Sequence, residues 1–393
     1  MSTLKVNSIS DAAGANGNAI TLASDGSCTV KATNNLSNRN LIINGGMRVA
    51  QRGTSSTSNG YKTIDRWYWE CNGADEAATI AQVDVTSNDS GPWEKGFTKA
   101  LRVTNGNQTS GAGSSDAIDL VYAVEAQDLC NSGWIHTSSS SYITLSFWVK
   151  SSVAQNFYGY IRSQDGTMQD YAYETGSLSA NTWTKITKKI PGSSGMTLDN
   201  NNGKGWAITL LPFMGTGSTN NSKSLNSWAN IDNAARTPDN TSTWWTTNDA
   251  QFETTGWQLE VGEVATDFEH RSYGDELARC QRYCYSPDGN DNSYQYFVYC
   301  LAMGNGGYAK GVMYLPTTMR TTPTVTQTHA TDEFTAQQGG SSDDIAWSGI
   351  WASASGKNSV WVEWSGMDSN YNDKPVLVYR ANNKGNLLFT AEL

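Results

Sequence analysis

Alternation of apolar and polar residues dominates the chain from residue 41 onward, and this period of two is typical of strands with one buried face. Nine segments carry it: 66–71, 78–85, 99–104, 118–126, 142–151, 156–163, 182–190, 205–213 and 252–261. No internal repeat of 40–50 residues is visible, so the pattern predicts a two-sheet jelly roll rather than a propeller. The fold class is therefore predicted to be all-β, with a jelly-roll β-sandwich over 41–271.

The two flanks of this body differ from it. Residues 1–40 are rich in Gly, Asn and Ser and alternate weakly, and forty such residues cannot bury a core alone. We therefore expect a short N-terminal β segment that needs a partner surface. Residues 272–393 return to alternation and predict a linker helix followed by a smaller C-terminal β-sandwich domain.

The linker helix has a recognisable start. Ser272 has the spacing of an N-cap, with an acid in the first turn at Asp275. Apolar residues recur at helical spacing after it, and they are Tyr273, Leu277, Cys280 and Cys284. The helix is expected to join the two β domains.

The acid-rich stretch WQLEVGEVATDFEHR raises the question of an acid–base site at this joint. Trp257 falls on the inner face of a strand and Glu260 on the other, so Glu260 is expected to be solvated. Asp267 and Glu269 lie beside Arg271, which favours surface ion pairs or turn hydrogen bonds. A glycosidase pair would need two carboxylates facing one cleft about 5–10 Å apart. We interpret the stretch as non-catalytic.

Other catalytic and metal motifs are weak. Cys280, Cys284 and His270 lack the close spacings of zinc sites, and a helical cysteine is usually a small buried hydrophobe. Neither Gly-x-Ser-x-Gly nor His-Glu-x-x-His occurs. The run LDNNNG at 198–203 offers oxygen ligands for Ca²⁺, although such a run is more often a bare turn. We therefore predict no enzyme activity, no catalytic residue and no required cofactor, with Ca²⁺ as the open alternative.

Charge and composition limit the partners. The formal net charge is −10 and the isoelectric point about 4.8, so nucleic acid and anionic membranes are not expected to bind. Neither a signal peptide pattern nor eighteen consecutive apolar residues occurs, so neither secretion nor membrane insertion is expected. The six cysteines are thinly spread, which favours free thiols.

The aromatic residues are the better lead. Sugars are held by stacking on exposed Trp or Tyr rings while polar side chains bond the hydroxyls. Trp244 and Trp245 lie in a polar loop without a strand pattern, so they are candidates for ligand contact, or else for a loop anchor or subunit contact. Tyr158 and Tyr160 share a strand face and are candidates to line a concave sheet.

Several motifs resemble, in order, a family of phage and prophage tail-fibre or receptor-binding proteins. They are LIINGGMRVAQRG…IDRWYW (41–69), VEAQDL…YITLSFWVKSS (124–152), ANTWTKITKKIPG (180–192) and GWQLEVGEVATDFEHRSYGDELARCQRYC (256–284). This family has a jelly roll similar to carbohydrate-binding modules. The opening MSTLKVNSISD is similar to the N-termini of marine-phage virion proteins, which use that end to attach to the particle.

The resemblance implies a structural protein of the virion, a homotrimeric fibre or appendage. It would contact other tail or capsid proteins through residues 1–40 and recognise host surface glycans without catalysis. Two alternatives remain open. One is an architectural tail-joint or capsid decoration protein that binds no glycan, and the other is a tailspike that depolymerises polysaccharide.

Overall fold

The fold is all-β, as predicted, in a computed structural model of the chain. It describes residues 8–10, 18–22, 28–30, 38–287, 295–303, 307–327, 334–371, 373–380 and 387–393. Of the predicted attachment segment 1–40, three short antiparallel strands are described, namely β1 (Ser8–Ser10), β2 (Asn18–Leu22) and β3 (Cys28–Val30). The rest of that segment up to residue 37 lies outside the described residues, so its attachment role stays a prediction.

The body contains twelve strands and two short helices. They are β4 (Ser55–Ser56), β5 (Trp67–Asn72), β6 (Thr79–Asp84), β7 (Lys99–Thr104), β8 (Ala117–Glu125), α1 (Ala126–Cys130), β9 (Tyr142–Ser151), β10 (Asn156–Ser163), β11 (Gln169–Ser177), β12 (Thr184–Pro191), β13 (Lys204–Met214), β14 (Trp228–Asn230), α2 (Thr243–Thr246) and β15 (Gln251–Val261). The first sheet has the order β14, β11, β10, β13, β8, β5, and the second sheet has the order β12, β9, β15, β7, β6, β4. Two antiparallel six-stranded sheets form a jelly-roll sandwich, which confirms the predicted body.

Aromatic rings fill the space between the two sheets. Trp257 of β15 stacks on Phe147 of β9, with ring centroids 4.0 Å apart and planes at 6°. Trp67 of β5 meets Trp257 edge-on at 5.0 Å, so the two sheets touch through these rings. All three side chains are at most 1% exposed. Burying rings of this size contributes a large share of the sandwich's stability.

The helix after the body begins where it was predicted. Ser272 caps α3 (Tyr273–Gln281), and its hydroxyl accepts a hydrogen bond from the Asp275 backbone N–H at 3.1 Å. The prediction of the apolar stripe was wrong for two of its members, however. Tyr273 is half exposed, and Cys284 lies beyond the end of the helix. The helix is one turn shorter than the spacing suggested, because the chain enters a strand at Cys284.

The C-terminal part contains the remaining strands. They are β16 (Cys284–Tyr285), β17 (Gln295–Met303), β18 (Tyr308–Tyr314), β19 (Thr324–Gln327), β20 (Phe334–Gln338), β21 (Ser341–Ile350), β22 (Ser359–Ser365), β23 (Pro375–Arg380) and β24 (Leu387–Thr390). Six of them close into a barrel in the order β17, β18, β22, β21, β20, β23, and β16, β24 and β19 form a separate sheet. The expected small sandwich is therefore wrong in architecture, because β17 pairs with β23 and closes the sheet on itself. None of the described helices has the length and apolarity that crossing a bilayer would require.

A buried ionic cluster joins the body to the last strand's extension. Glu392 pairs with Arg66 at 2.5 Å and with Arg52 at 2.9 Å, and all three side chains are at most 8% exposed. The Tyr61 hydroxyl donates to the Leu393 carbonyl at 3.0 Å. The two arginines come from the body, so Glu392 holds the C-terminal part against it.

We predict that Glu392→Gln lowers the free energy of unfolding by about 3–5 kcal/mol, because it leaves two buried guanidinium groups without their shared carboxylate. Chemical denaturation of the full chain measures the change. The matched control is Glu363→Gln, which removes a half-exposed pair with Lys310 and should cost less than about 1 kcal/mol. Equal effects of the two substitutions would contradict the structural role given to Glu392.

Candidate functional site

The acid-rich stretch does not present Glu260 to water. Glu260 is 3% exposed, so the expectation that it is solvated is wrong. Its carboxylate accepts hydrogen bonds at 2.8 Å from the Thr266 backbone N–H and from the Gln258 amide. Arg39 lies 3.5 Å from it. The strand does point Glu260 away from the core, but the chain after β15 folds back and covers it.

Glu269 and Arg271 hold the entry segment of the body in place. Glu269 accepts the backbone N–H groups of Asn38 at 2.6 Å and Asn40 at 2.7 Å. Arg271 donates to the Asn40 carbonyl at 2.5 Å and to the Ile42 carbonyl at 3.2 Å. Burial alone would raise the pKa of Glu269, but the Asn40 N–H and the Arg271 charge hold that pKa below its usual value. These groups serve the fold.

His270 and the nearby cysteines do not assemble a reactive centre. The His270 Nε2 lies 2.7 Å from the Lys95 carbonyl, and burial raises the pKa of the Cys280 and Cys284 thiols. Within the described part of the chain, no group of three His, Cys, Asp or Glu side chains is placed to hold a metal ion. The described cysteine side chains are unpaired thiols, which are Cys71, Cys130, Cys280, Cys284 and Cys300. The side chain of Cys28 lies outside the described part.

The LDNNNG run, offered as a possible Ca²⁺ loop, forms a turn beside the C-terminal part. The Asn201 side-chain oxygen accepts the Gly203 N–H at 2.7 Å. Asn202 donates to the Arg320 carbonyl at 2.7 Å, and Arg320 donates back to the Asn202 carbonyl at 3.0 Å. The side-chain oxygens of Asn200 and Asn201 thus accept hydrogen bonds from the protein itself, whereas Asn202 bonds through its amide N–H group.

A cavity with a volume of about 910 Å³ runs along α3. Its arginines are already bonded: Arg282 to Glu125 at 2.8 Å and Arg279 to Asn38 at 2.5 Å. The described wall begins at Asn38, next to residues that the structure does not describe. We therefore assign no ligand to this cavity.

Trp244 and Trp245 are both fully buried, so the expectation that they are exposed ligand contacts is wrong. They lie in α2, which plugs one end of the sandwich. Trp245 stacks on Phe213 with centroids 5.0 Å apart, and its indole N–H donates to the Gly111 carbonyl at 2.9 Å. The Asn105 amide donates to the Trp245 carbonyl at 2.6 Å. Both rings act as loop anchors, the alternative reading of the sequence.

Tyr158 and Tyr160 lie on the outer face of the first sheet, on the same side of β10. The register aligns Tyr160 with Thr209 of β13, Thr209 with Val121 of β8, and Val121 with Tyr68 of β5. Tyr68 and Tyr160 are thus three strand spacings apart, about 14 Å. Tyr68 and Tyr158 are half-buried. Tyr160 is only 6% exposed, so its ring is not an open stacking surface as had been expected.

Arg162 and the apolar side chains of Leu211 and Met214 cover Tyr160. Arg162 lies on the same face of β10, with its guanidinium carbon 5.4 Å from the centroid of the Tyr160 ring. It is fixed there by two hydrogen bonds to Asp170 of β11, at 2.7 and 2.9 Å. This leaves Tyr158 as the open ring on β10.

Two carboxylates sit side by side on the same face. Glu70 of β5 pairs directly with Asp119 of β8, and like charges at such positions destabilise a sheet. Burial, with the Glu70 charge added, raises the pKa of Asp119 to about 6 although Arg236 opposes the shift. The enclosed atoms Asp119 Oδ1 and Arg236 Nε have no hydrogen-bond partner within the described residues.

We call this surface the tyrosine face; it is formed by Tyr68, Glu70, Asp119, Tyr158, Tyr160 and Arg236. Two of these residues, Tyr158 and Tyr160, were predicted from the sequence. Tyr68 and Glu70 were detectable in the segment 66–71, because they occupy the outward positions that alternate with the buried Trp67 and Trp69. Arg236 was not, because it comes from a long loop whose path the pattern does not encode.

Comparisons with known proteins give no family. No protein-family model and no curated protein matches the chain. Among solved structures, the enzymatically active domain of tailspike protein 4 from bacteriophage CBA120 matches at 12% identity and a TM-score of 0.30, over 57% of this chain and 22% of that one. The C-terminal family 22 carbohydrate-binding module of Clostridium thermocellum Xyn10B matches at 9% identity and a TM-score of 0.29, over 59% and 100%.

The N-terminal cellulose-binding domain of Cellulomonas fimi β-1,4-glucanase C matches at 10% identity and a TM-score of 0.25, over 55% of this chain and 97% of that one. The chain spans less than a quarter of the tailspike domain's length. Similarities at this level establish neither a shared ligand nor a shared activity.

We predict that Asp119→Asn raises the free energy of unfolding at pH 7 by about 1–2 kcal/mol. The raised pKa means that between about pH 4 and pH 6 the folded chain keeps a proton that the unfolded chain has released. Stability therefore falls as the pH rises through this window, and the advantage of the variant should vanish near pH 4. Denaturation curves at both pH values measure it. Asp84→Asn, at an exposed position paired with Lys99, is the control and should show no such trend.

Proposed function

We propose that the body is a non-catalytic saccharide-binding module and that the tyrosine face is its binding surface. One observation carries the proposal: two enclosed polar atoms, Asp119 Oδ1 and Arg236 Nε, lack hydrogen-bond partners on a face that also carries half-exposed tyrosines. Enclosed polar atoms are normally hydrogen-bonded. A saccharide supplies both the hydroxyl groups for these atoms and an apolar ring face for Tyr158 or Tyr68.

The chemistry of the face suits a polyhydroxylated ligand. A carboxylate accepts hydrogen bonds from sugar hydroxyls, and a guanidinium donates to their oxygens. Asp119 and Arg236 feel each other's charge, yet their side chains make no ion pair within 4.0 Å in the described part of the chain. A hydroxyl group can act as donor to one and acceptor from the other. Asp119 and Arg236 would orient the bound saccharide, and stacking on the tyrosine rings would supply most of its binding affinity.

Hydrolysis of a saccharide is a second candidate function, favoured by the Glu70–Asp119 pair. A carboxyl group whose pKa is raised to about 6 has the property of a general acid, and Asp119 has a carboxylate beside it. However, a glycosidase pair flanks the scissile bond from two sides. Glu70 and Asp119 leave neighbouring strands in the same direction. Glu70 is also bonded by Asn72 at 2.8 Å. We therefore prefer binding without cleavage.

The setting of this module is proposed from the resemblance in the sequence. We place the protein on a phage particle as a tail fibre or appendage, attached through residues 1–40, with the body recognising a host surface glycan. Many weak sites on one particle would gain avidity. The purely architectural alternative remains the outcome if no saccharide binds.

A homotrimer is part of the same proposal, and the barrel offers a surface for it. Large apolar side chains stand exposed on the neighbouring strands β17 and β18. They are Tyr299, Leu301, Met303, Val312 and Tyr314, with exposed fractions from 42% to 80%. Contiguous apolar surface of this kind usually marks a contact with another chain.

The saccharide proposal predicts binding on a glycan array that Tyr158→Ala weakens at least about tenfold, a loss of about 1.4 kcal/mol. Tyr273→Ala is the matched control, since Tyr273 is a half-exposed tyrosine on α3, outside the face. Binding is measured on the array and confirmed by calorimetry with the strongest ligand. The absence of any bound saccharide, or equal losses in the two variants, would overturn the proposal. Release of reducing ends from the bound saccharide would establish hydrolysis instead.

The trimer predicts a solution mass of three times 42.6 kDa by light scattering. Replacing Leu301 and Tyr314 together by Lys should give a monomer, because two charges would be buried at each contact. Val264→Lys, at a 75% exposed apolar position on the body, should leave the trimer intact. A monomeric wild-type chain would contradict this part of the proposal.

A further inference from the structure

A second cleft, of about 320 Å³, opens on the outer face of the second sheet. Trp148 of β9 forms one wall; it points outward because its neighbours Phe147 and Val149 belong to the core. Trp148 is half-buried and packs against the apolar cluster of Val85, Ala100 and Trp183. We call this the Trp148 cleft; its lining includes Phe97, Trp148, Lys185, Gly256, Phe268 and His270.

The wall opposite Trp148 is a cluster of three rings. The centroids of Phe97 and Phe268 are 4.8 Å apart, and those of Phe268 and His270 are 4.9 Å apart. The Lys95 carbonyl, 2.7 Å from His270 Nε2, fixes the imidazole. The wall is therefore held in position before any ligand arrives, which lowers the entropic cost of binding.

A glycine forms the floor between the walls. Gly256 has φ of +68° at a bulge in β15, where the register with β9 shifts. A Cβ at this position would lie 2.7 Å from Phe97 and 3.0 Å from Trp148. Any side chain here would occupy the space between the two aromatic walls. The bulge thus keeps the cleft open, as bulges near binding sites often do.

The charged residues at the rim of the cleft differ in whether they have a bonding partner. Lys95 pairs with Asp267 at 3.5 Å, and the Glu94 carboxylate accepts the Gly91 N–H. Lys185 is exposed and, among the described residues, makes neither an ion pair nor a hydrogen bond. It faces Trp148 directly across the β9–β12 ladder, with Cβ atoms about 5 Å apart. Within the described part of the chain, Lys185 is therefore an unpaired cation beside the indole ring, while Glu94 keeps its negative charge in the lining of the cleft.

We infer that the Trp148 cleft binds one uronic acid residue of an acidic saccharide, with the sugar ring against Trp148 and the carboxylate at Lys185 Nζ. The volume is at the lower end of ligand pockets, which suits a single sugar residue. A pyranose presents an apolar face to the indole. The inference does not rest on the proposed function, because the tyrosine face lies on the other sheet.

The test uses the full chain labelled with ¹⁵N-tryptophan and two probes, methyl β-D-glucuronide and methyl β-D-glucoside. The Trp148 indole signal is assigned by its loss in Trp148→Phe. We expect the glucuronide to shift this signal saturably and to bind more tightly than the glucoside. Lys185→Ala should lower glucuronide affinity about fivefold, to the level of the glucoside, because it removes the charge-assisted contact. Lys185→Arg should retain most of the affinity.

Two controls separate this site from its surroundings. Lys189→Ala removes an exposed lysine of the same strand that pairs with Glu263, and it should leave glucuronide binding unchanged. Tyr158→Ala should also leave it unchanged, even if it abolishes binding at the tyrosine face. The inference is overturned if neither glycoside shifts the Trp148 signal or if both bind equally. It is also overturned if Lys185→Ala leaves glucuronide affinity unchanged or if Tyr158→Ala lowers it.

Discussion

Burial of aromatic rings between two six-stranded sheets is the constraint on which the rest of the structure depends. Successive side chains of a strand point to opposite faces, so each ring sent inward sends its neighbours outward. Burying Trp67 places Tyr68 on the outer face of the first sheet, and burying Phe147 places Trp148 on the outer face of the second. The packing of the core therefore determines which side chains lie on the outer face of each sheet.

Chain segments that fold over the sheets then determine which outward-facing side chains remain accessible to a ligand. Two segments, the chain after β15 and the entry segment from Asn38, fold over part of the second sheet. There the side chains of Glu260, Glu269 and Arg271 form hydrogen bonds that hold these segments in place. The sequence was interpreted as non-catalytic at these charged groups, and in the structure backbone groups bond to them. The tyrosine face combines two enclosed polar atoms that lack hydrogen-bond partners within the described residues with half-buried tyrosine rings, and this combination marks it as a candidate site.

Strong alternation made most of the body predictable, and β7, β9 and β10 begin and end at the predicted residues. β11 was missed although its tyrosines alternate, and β20 and β21 were missed because they contain many polar residues. Trp244 and Trp245 were expected outside because their local sequence is polar. Their burial depends on closing the end of the sandwich, a long-range event that local pattern does not encode.

The most direct test of the central claim is an experimental structure of the chain with the neutral saccharide that binds it most tightly. The account predicts an intact saccharide on the outer face of the first sheet, with a ring against Tyr158 and hydroxyl groups at Asp119 and Arg236. A saccharide held elsewhere on the body with this face unoccupied, or a cleaved one beside Glu70, would contradict it.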